Sequence, residues 1–200
     1  VRLVDVAGFV VAQSWPLADR PEQLAYDPVG GTLYIGFGAA TDVTALHFPD
    51  ASIKVLPVGT SPEELILGPK GVLLVGDEEG EIAVYDTIVS AVATTIQPYR
   101  QEQVLAWDGP GSQLVMGDVG LSPATMLRYD FDPVTYALTE EQRVGRVGDN
   151  GRALTLSPDG DHVAYSCGGG NTDGYAIDDF VTDDLESIRG AFQTGHYPTA

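Results

Sequence analysis

Leu24-Ala-Tyr-Asp-Pro-Val-Gly-Gly-Thr-Leu-Tyr-Ile-Gly36 and Leu105-Ala-Trp-Asp-Gly-Pro-Gly-Ser-Gln-Leu-Val-Met-Gly117 match in length and pattern. The same unit recurs one residue shorter as Leu65-Ile-Leu-Gly-Pro-Lys-Gly-Val-Leu-Leu-Val-Gly76, and again as Leu154-Thr-Leu-Ser-Pro-Asp-Gly-Asp-His-Val-Ala-Tyr165. Each copy reads as two apolar runs around a turn, the signature of a β-hairpin. The turn glycines Gly30, Gly71, Gly111 and Gly160 lie 41, 40 and 49 residues apart. A period of about 40–45 residues is that of one four-stranded propeller blade.

A second register mark fills the intervals: Leu3-Val4-Asp5, Ala45-Leu46-His47, Val84-Tyr85-Asp86, Arg128-Tyr129-Asp130 and Ala176-Ile177-Asp178. Each is followed by a short turn and another alternating run, such as Ile53 to Val58, Val92 to Ile96 and Ile188 to Gln193. The unit therefore has four strands, here a to d from the axis outward. The chain reads c-d and then a-b-c-d four times, giving 18 strands. The fold class is all-β, a propeller of four-stranded antiparallel blades with about 4.5 blades present. The boundaries are a half-blade at 1–20, repeats at about 21–60, 61–100, 101–145 and 146–197, and the start of a further blade at 198–200.

Pro21 and Pro62 each lie three residues before the leucine of strand a, and Pro198 has the same context. The chain also opens on Val1 rather than Met. The expectation is a piece of a larger ring, because an open blade edge is an aggregation hazard that closure removes. The ring would be closed by remaining blades or by a second copy.

The pattern Pro-x-x-Leu-x-x-x-Pro-x-Gly, an apolar strand ending in Gly, and then a Tyr-Asp strand resembles the YVTN-type repeat. Thr155-Leu-Ser-Pro-Asp-Gly160 and Val58-Gly-Thr-Ser-Pro62 match it best, and His47, Glu102 and Gly151 depart from it. The resemblance implies a bacterial or archaeal, extracytoplasmic propeller, commonly seven-bladed. Lactonase, NHL and WD-repeat propellers share the unit, so fold does not fix activity.

Charge narrows the partners. The chain carries 29 acidic residues against 10 basic, a formal net charge of -19, and its only lysines are Lys54 and Lys70. Nucleic acid needs a Lys/Arg stripe, and anionic membrane surfaces need one too, so both are disfavoured. No apolar run approaches the roughly 18 residues of a membrane-spanning helix, and membrane insertion is not expected. Cys167 is the only cysteine and can form no internal disulfide and no Cys-based zinc site.

The b-c and d-a loops emerge on one face and the a-b and c-d turns on the other. The insertions Asp118 to Thr125, Cys167 to Gly174 and Gly145 to Arg152 all belong to the first face. Binding residues ride on such loops over rigid scaffolds, which nominates Asp118, Arg146, Asp149, Asn150, Arg152, Asn171, Asp173 and His196. Asp149, Asn171 and Asp173 offer hard oxygen ligands on glycine-rich backbone, so calcium is possible although no cofactor is required. Asp178, Asp179, Asp183, Asp184 and Glu186 form an acidic cluster at a c-d turn, read as solvated. Ser157-Pro-Asp-Gly160 reads as a turn and the Tyr-Asp aspartates as turn caps. Tyr34, Tyr85, Tyr129 and Tyr165 are expected to pack between blades. No nucleophile elbow, zinc-helix or phosphate-loop motif occurs. The reading is a non-catalytic scaffold for a protein or glycan. The alternatives are a metal-dependent lactonase-like hydrolase and a purely structural domain of a large surface protein.

Overall fold

The computed structural model describes residues 1–17, 19–98, 103–107, 113–167, 176–182 and 184–193. Strands β1 (Arg2–Asp5) and β2 (Val10–Ser14) form an antiparallel hairpin in the c and d positions. Four antiparallel sheets follow, each in simple chain order. The first full blade is β3 (Gln23–Asp27), β4 (Thr32–Gly36), β5 (Asp42–His47) and β6 (Ser52–Pro57). The second is β7 (Glu64–Leu67), β8 (Val72–Gly76), β9 (Ile82–Asp86) and β10 (Ala91–Ile96). The third is β11 (Gln103–Trp107), β12 (Gln113–Asp118), β13 (Thr125–Phe131) and β14 (Leu138–Gly145). The fourth is β15 (Gly151–Leu156), β16 (His162–Cys167), β17 (Ala176–Val181) and β18 (Asp184–Gln193). The a strands β3, β7, β11 and β15 stand side by side, as propeller blades require. No helix among the described residues is long and apolar enough to cross a membrane.

The core lies between blades. Side chains alternate across a strand, so a sheet sandwiched by two neighbours must be apolar on both faces. Strand β8 meets that demand with Val72-Leu-Leu-Val75, all buried. Its Leu73 and Val75 join Leu65, Ala83 and Tyr85 against Tyr34, Val43, Leu56 and Val58 of the first blade. Its Val72 and Leu74, with Ile82 and Val84, face Leu105, Leu114, Met116, Leu127 and Phe131 of the third. Val115, Met126 and Val147 then pack on Val163, Tyr165, Phe180 and Leu185. All four register tyrosines, Tyr34, Tyr85, Tyr129 and Tyr165, sit in these inter-blade layers. Burial behind the Glu140 carboxylate pushes the Tyr129 hydroxyl up to about 12.

Turn chemistry closes the hairpins. Asp86 Oδ1 accepts the backbone N–H of Ile88 and Val89, and Asp5 Oδ1 that of Ala7. In the third blade the cap is Asp132, taking Val134 and Thr135, while Asp130 meets Gln113 Nε2. Asp130, the cap expected from the sequence, does not cap this turn, because β13 runs on to Phe131 and moves the turn two residues downstream. In the first blade His47 holds the usual Asp place. Asp50 caps Ser52 instead and meets His47 Nδ1 at 2.8 Å. Those hydrogen bonds, Ser52 first and His47 second, hold the exposed Asp50 carboxyl well below the ordinary range. Ser157-Pro-Asp-Gly160 is a hydrogen-bonded turn, Gly160 N–H to Ser157 O at 2.9 Å, with Gly160 at φ 80°.

Candidate functional site

Two of the three insertions nominated from the sequence, 118–125 and 145–152, meet and lock together, while residues 168–174 of the third lie outside the described residues. The b-c loop 119–124 and the d-a loop 146–150 exchange backbone hydrogen bonds like a short irregular ladder. Asn150 N–H donates to Leu121 O at 2.6 Å, Ala124 N–H to Gly148 O at 2.7 Å, and Arg146 N–H to Ala124 O at 2.9 Å. Gly120 N–H reaches Gly151 O at 3.1 Å. The path needs left-handed backbone at Arg146 (φ 64°) and Asn150 (φ 50°). Gly148 is at φ 144°, where a Cβ would run into Cys167 Sγ. At Gly151 a Cβ would overlap Tyr165 Oη and Asp118 O, so glycine is required by close approach.

Beneath the loops, the fully buried Tyr165 hydroxyl donates to Asp118 O at 2.5 Å across two blades. The buried Cys167 thiol lies 3.6 Å from Val147 O. Asp118 ends strand β12 with its side chain sealed from solvent, and Oδ2 accepts Thr125 N–H at 3.0 Å. Its Oδ1 has no partner among the described residues, nor have the amide atoms of Gln103 directly opposite on β11. Burial pushes the Asp118 carboxyl up, opposed by the Thr125 bonds and the Arg143 charge.

The nominated residues thus divide. Asp118 is interior, Asp149 and Asn150 are half-buried in the lock, and Arg146 and Arg152 project to solvent. Asn171, Asp173 and His196 lie outside the described residues, as does Asp183 of the acidic cluster. Among the described residues no group of three or more His, Cys, Asp or Glu side chains could hold a metal ion.

The opposite face carries what the sequence reading passed over. Among the described residues, six large hydrophobic side chains are more than 70% exposed: Val6, Phe9, Val29, Ile88, Val89 and Val134. All six lie in a-b or c-d turns and therefore on one face. Carboxylate caps display four of them, since Asp27 Oδ1 takes Val29 N–H at 2.9 Å just as Asp86 and Asp132 hold Ile88, Val89 and Val134. Neighbouring turns are braced. Lys54 Nζ of strand β6 donates to Ser90 Oγ at 2.6 Å and Tyr136 Oη to Asp86 Oδ2 at 2.7 Å, linking the first three full blades. The recoverable signal was Asp followed two places on by Val or Ile, in Asp27-Pro-Val29, Asp86-Thr-Ile88 and Asp132-Pro-Val134.

No family model matches the sequence, and no curated protein matches it. Solved structures do. The chain aligns with the Kuenenia stuttgartiensis hydrazine synthase at a TM-score of 0.70 and 18% identity, over 94% of this chain and 61% of that one. It aligns with a chain of the crystal structure of the mitotic checkpoint complex at a TM-score of 0.67 and 13% identity, over 96% and 61%. Both are β-propeller proteins, and this chain is one by fold. It spans about three fifths of the length of each.

Proposed function

We propose that the chain is a non-catalytic propeller scaffold that binds a protein through the a-b and c-d turn face. One observation carries the reading: among the described residues the most exposed large hydrophobic side chains lie in turns of that face, and aspartate caps hold the backbone of four of them, Val29, Ile88, Val89 and Val134. Apolar anchors on a braced frame lose little conformational freedom on binding, which is the economy an interface needs. The surrounding carboxylates of Asp27, Asp50, Asp86 and Asp132, on a chain of net charge -19, favour a partner with apolar sockets rimmed by Lys or Arg. That a similar propeller occurs in a structure of a protein complex supports the same class of role.

The test replaces Ile88, Val89 and Val134 together by Ser. These side chains are solvent-facing, so the expected Tm change is small, within about ±0.5 kcal/mol of stability per site. The variant is expected to lose a partner that the unaltered protein retains from an extract of its own source. Retention of the same partner by the folded variant would refute the assignment of this face.

A further inference from the structure

The lock between the b-c loop 119–124 and the d-a loop 146–150 holds a chemically labile pair that a binding role for the opposite face does not use. Asn150-Gly151 stands where the d-a loop enters β15. The backbone selects both residue types. Asn150 lies at φ 50°, a left-handed conformation that asparagine tolerates better than most residues with a Cβ. Gly151 is buried and has no room for a Cβ, which would overlap Tyr165 Oη and Asp118 O. The fold therefore sets a carboxamide directly before a backbone nitrogen that no side chain shields. That neighbourhood is the one in which a main-chain nitrogen most readily attacks the preceding side-chain amide. The chain has one other asparagine, Asn171, which precedes the β-branched Thr172.

The closed lock opposes that attack. Leu121 O takes the Asn150 N–H at 2.6 Å and Gly120 N–H donates to Gly151 O at 3.1 Å, so the link is gripped on both sides. Ring closure turns the Asn150 Cα–C bond and swings Gly151, which is packed against Asp118 O and Tyr165 Oη. The reaction must wait for the lock to open. We propose that Asn150-Gly151 is a self-modification site: deamidation occurs while the lock is open and the isoaspartate product keeps it from closing again. The bond from Gly151 N to Asn150 Cγ forms, the Cγ–Nδ2 bond breaks, and ammonia leaves with the proton from Gly151 N. Water then opens the cyclic imide at one of its carbonyls, and nothing is oxidised or reduced. Opening at Cγ gives aspartate on an ordinary backbone, which tolerates the left-handed conformation and lets the lock close. Opening at the former main-chain carbonyl gives isoaspartate, which routes the chain through the side-chain carbons and lengthens the link by one carbon. The bonds to Leu121 and Gly120 then cannot both form while Gly151 keeps its place.

The test incubates the full chain in mildly alkaline buffer and maps it with trypsin, because cleavage after Arg146 and Arg152 releases residues 147–152 with Asn150 as their only asparagine. A synthetic peptide of residues 145–153 is the unconstrained reference. The 147–152 fragment of the full chain is expected to gain the mass of an NH2-to-OH exchange about tenfold or more slowly than the reference. Tyr165→Phe removes the hydroxyl packed on Gly151 and is expected to speed the change by about threefold or more. In the chain carrying isoaspartate, hydrogen exchange at the 120–124 and 146–150 amides is expected to rise by about tenfold or more. Asn150→Asp has the charge of the product on an ordinary backbone and is expected to keep the protection of the unaltered protein. Conversion as fast in the full chain as in the reference would overturn the inference, as would a full chain and a Tyr165→Phe variant that both stay unmodified after the reference is spent. Unchanged exchange in the isoaspartate chain would overturn it too.

Discussion

Leu24→Ala and Leu65→Ala are the same change at the same repeat position, and the blade stack makes them unequal. Leu65 is 3% exposed in the first-to-second blade layer, so truncation there removes a buried side chain and leaves a cavity within the cluster that includes Tyr34, Val43 and Leu73. Such changes cost about 2–5 kcal/mol, the sum of lost transfer energy and lost contacts. Leu24 is 54% exposed and its far side is open to water. About half of the roughly 1.5–3 kcal/mol transfer term is therefore at stake there, with no sealed cavity, or about 1 kcal/mol. In a chain of this size 1 kcal/mol corresponds to about 2–4 °C in Tm, so a loss of ~3 kcal/mol at Leu65 lowers Tm by about 6–12 °C and Leu24→Ala by about a third of that. Thermal and urea melts of both variants measure the contrast, with unchanged urea m-values certifying that the same unit unfolds. Equal losses would refute the reasoning, because they would mean that Leu24 is as covered as Leu65.

Tyr165→Phe removes the hydroxyl that ties β16 to Asp118 O, and the expected loss of about 1–2 kcal/mol appears as a Tm lower by about 2–8 °C. For Asp118 the sign follows from burial. A carboxyl raised above its ordinary value gives its most favourable contribution at low pH and loses it as pH rises through the folded-state pKa. Asp118→Asn cannot ionise and keeps an oxygen for Thr125 N–H, so the variant should gain stability relative to the unaltered protein as pH rises above the ordinary carboxyl range, measured by urea melts. A gap independent of pH would contradict it. Asp132→Ala removes a carboxylate that takes two backbone N–H groups and the Thr135 hydroxyl, and should cost about 0.5–2 kcal/mol, whereas Asp130→Ala should be near neutral.

The blade was legible because its signal is local: turn glycines at constant spacing, period-2 apolar runs, and a Tyr-Asp mark in strand c. Even the packing role of the tyrosines followed, since a large side chain at a fixed register on a two-sided sheet has a neighbouring blade to meet. The candidate site was legible only as a choice of loops. That Asp118 is interior depends on Tyr165, 47 residues away, and on Gly151 admitting its hydroxyl, and neither contact leaves a pattern in the sequence. The turn cap was assigned to Asp130 rather than Asp132 because strand length, not residue type, decides which aspartate reaches the turn. The apolar tips were overlooked for a similar reason: Val29 or Ile88 reads as strand-forming residue until the backbone around Asp27 or Asp86 fixes it as a turn.

The most direct test of the binding face is site-specific photo-cross-linking in the source cells, with the cross-linker at Val134 in one protein and at Arg152, on the opposite face, in another. One protein adduct is expected from Val134, suppressed when Ile88 and Val89 are changed to Ser, and none from Arg152. An adduct from Arg152 with none from Val134 would contradict it.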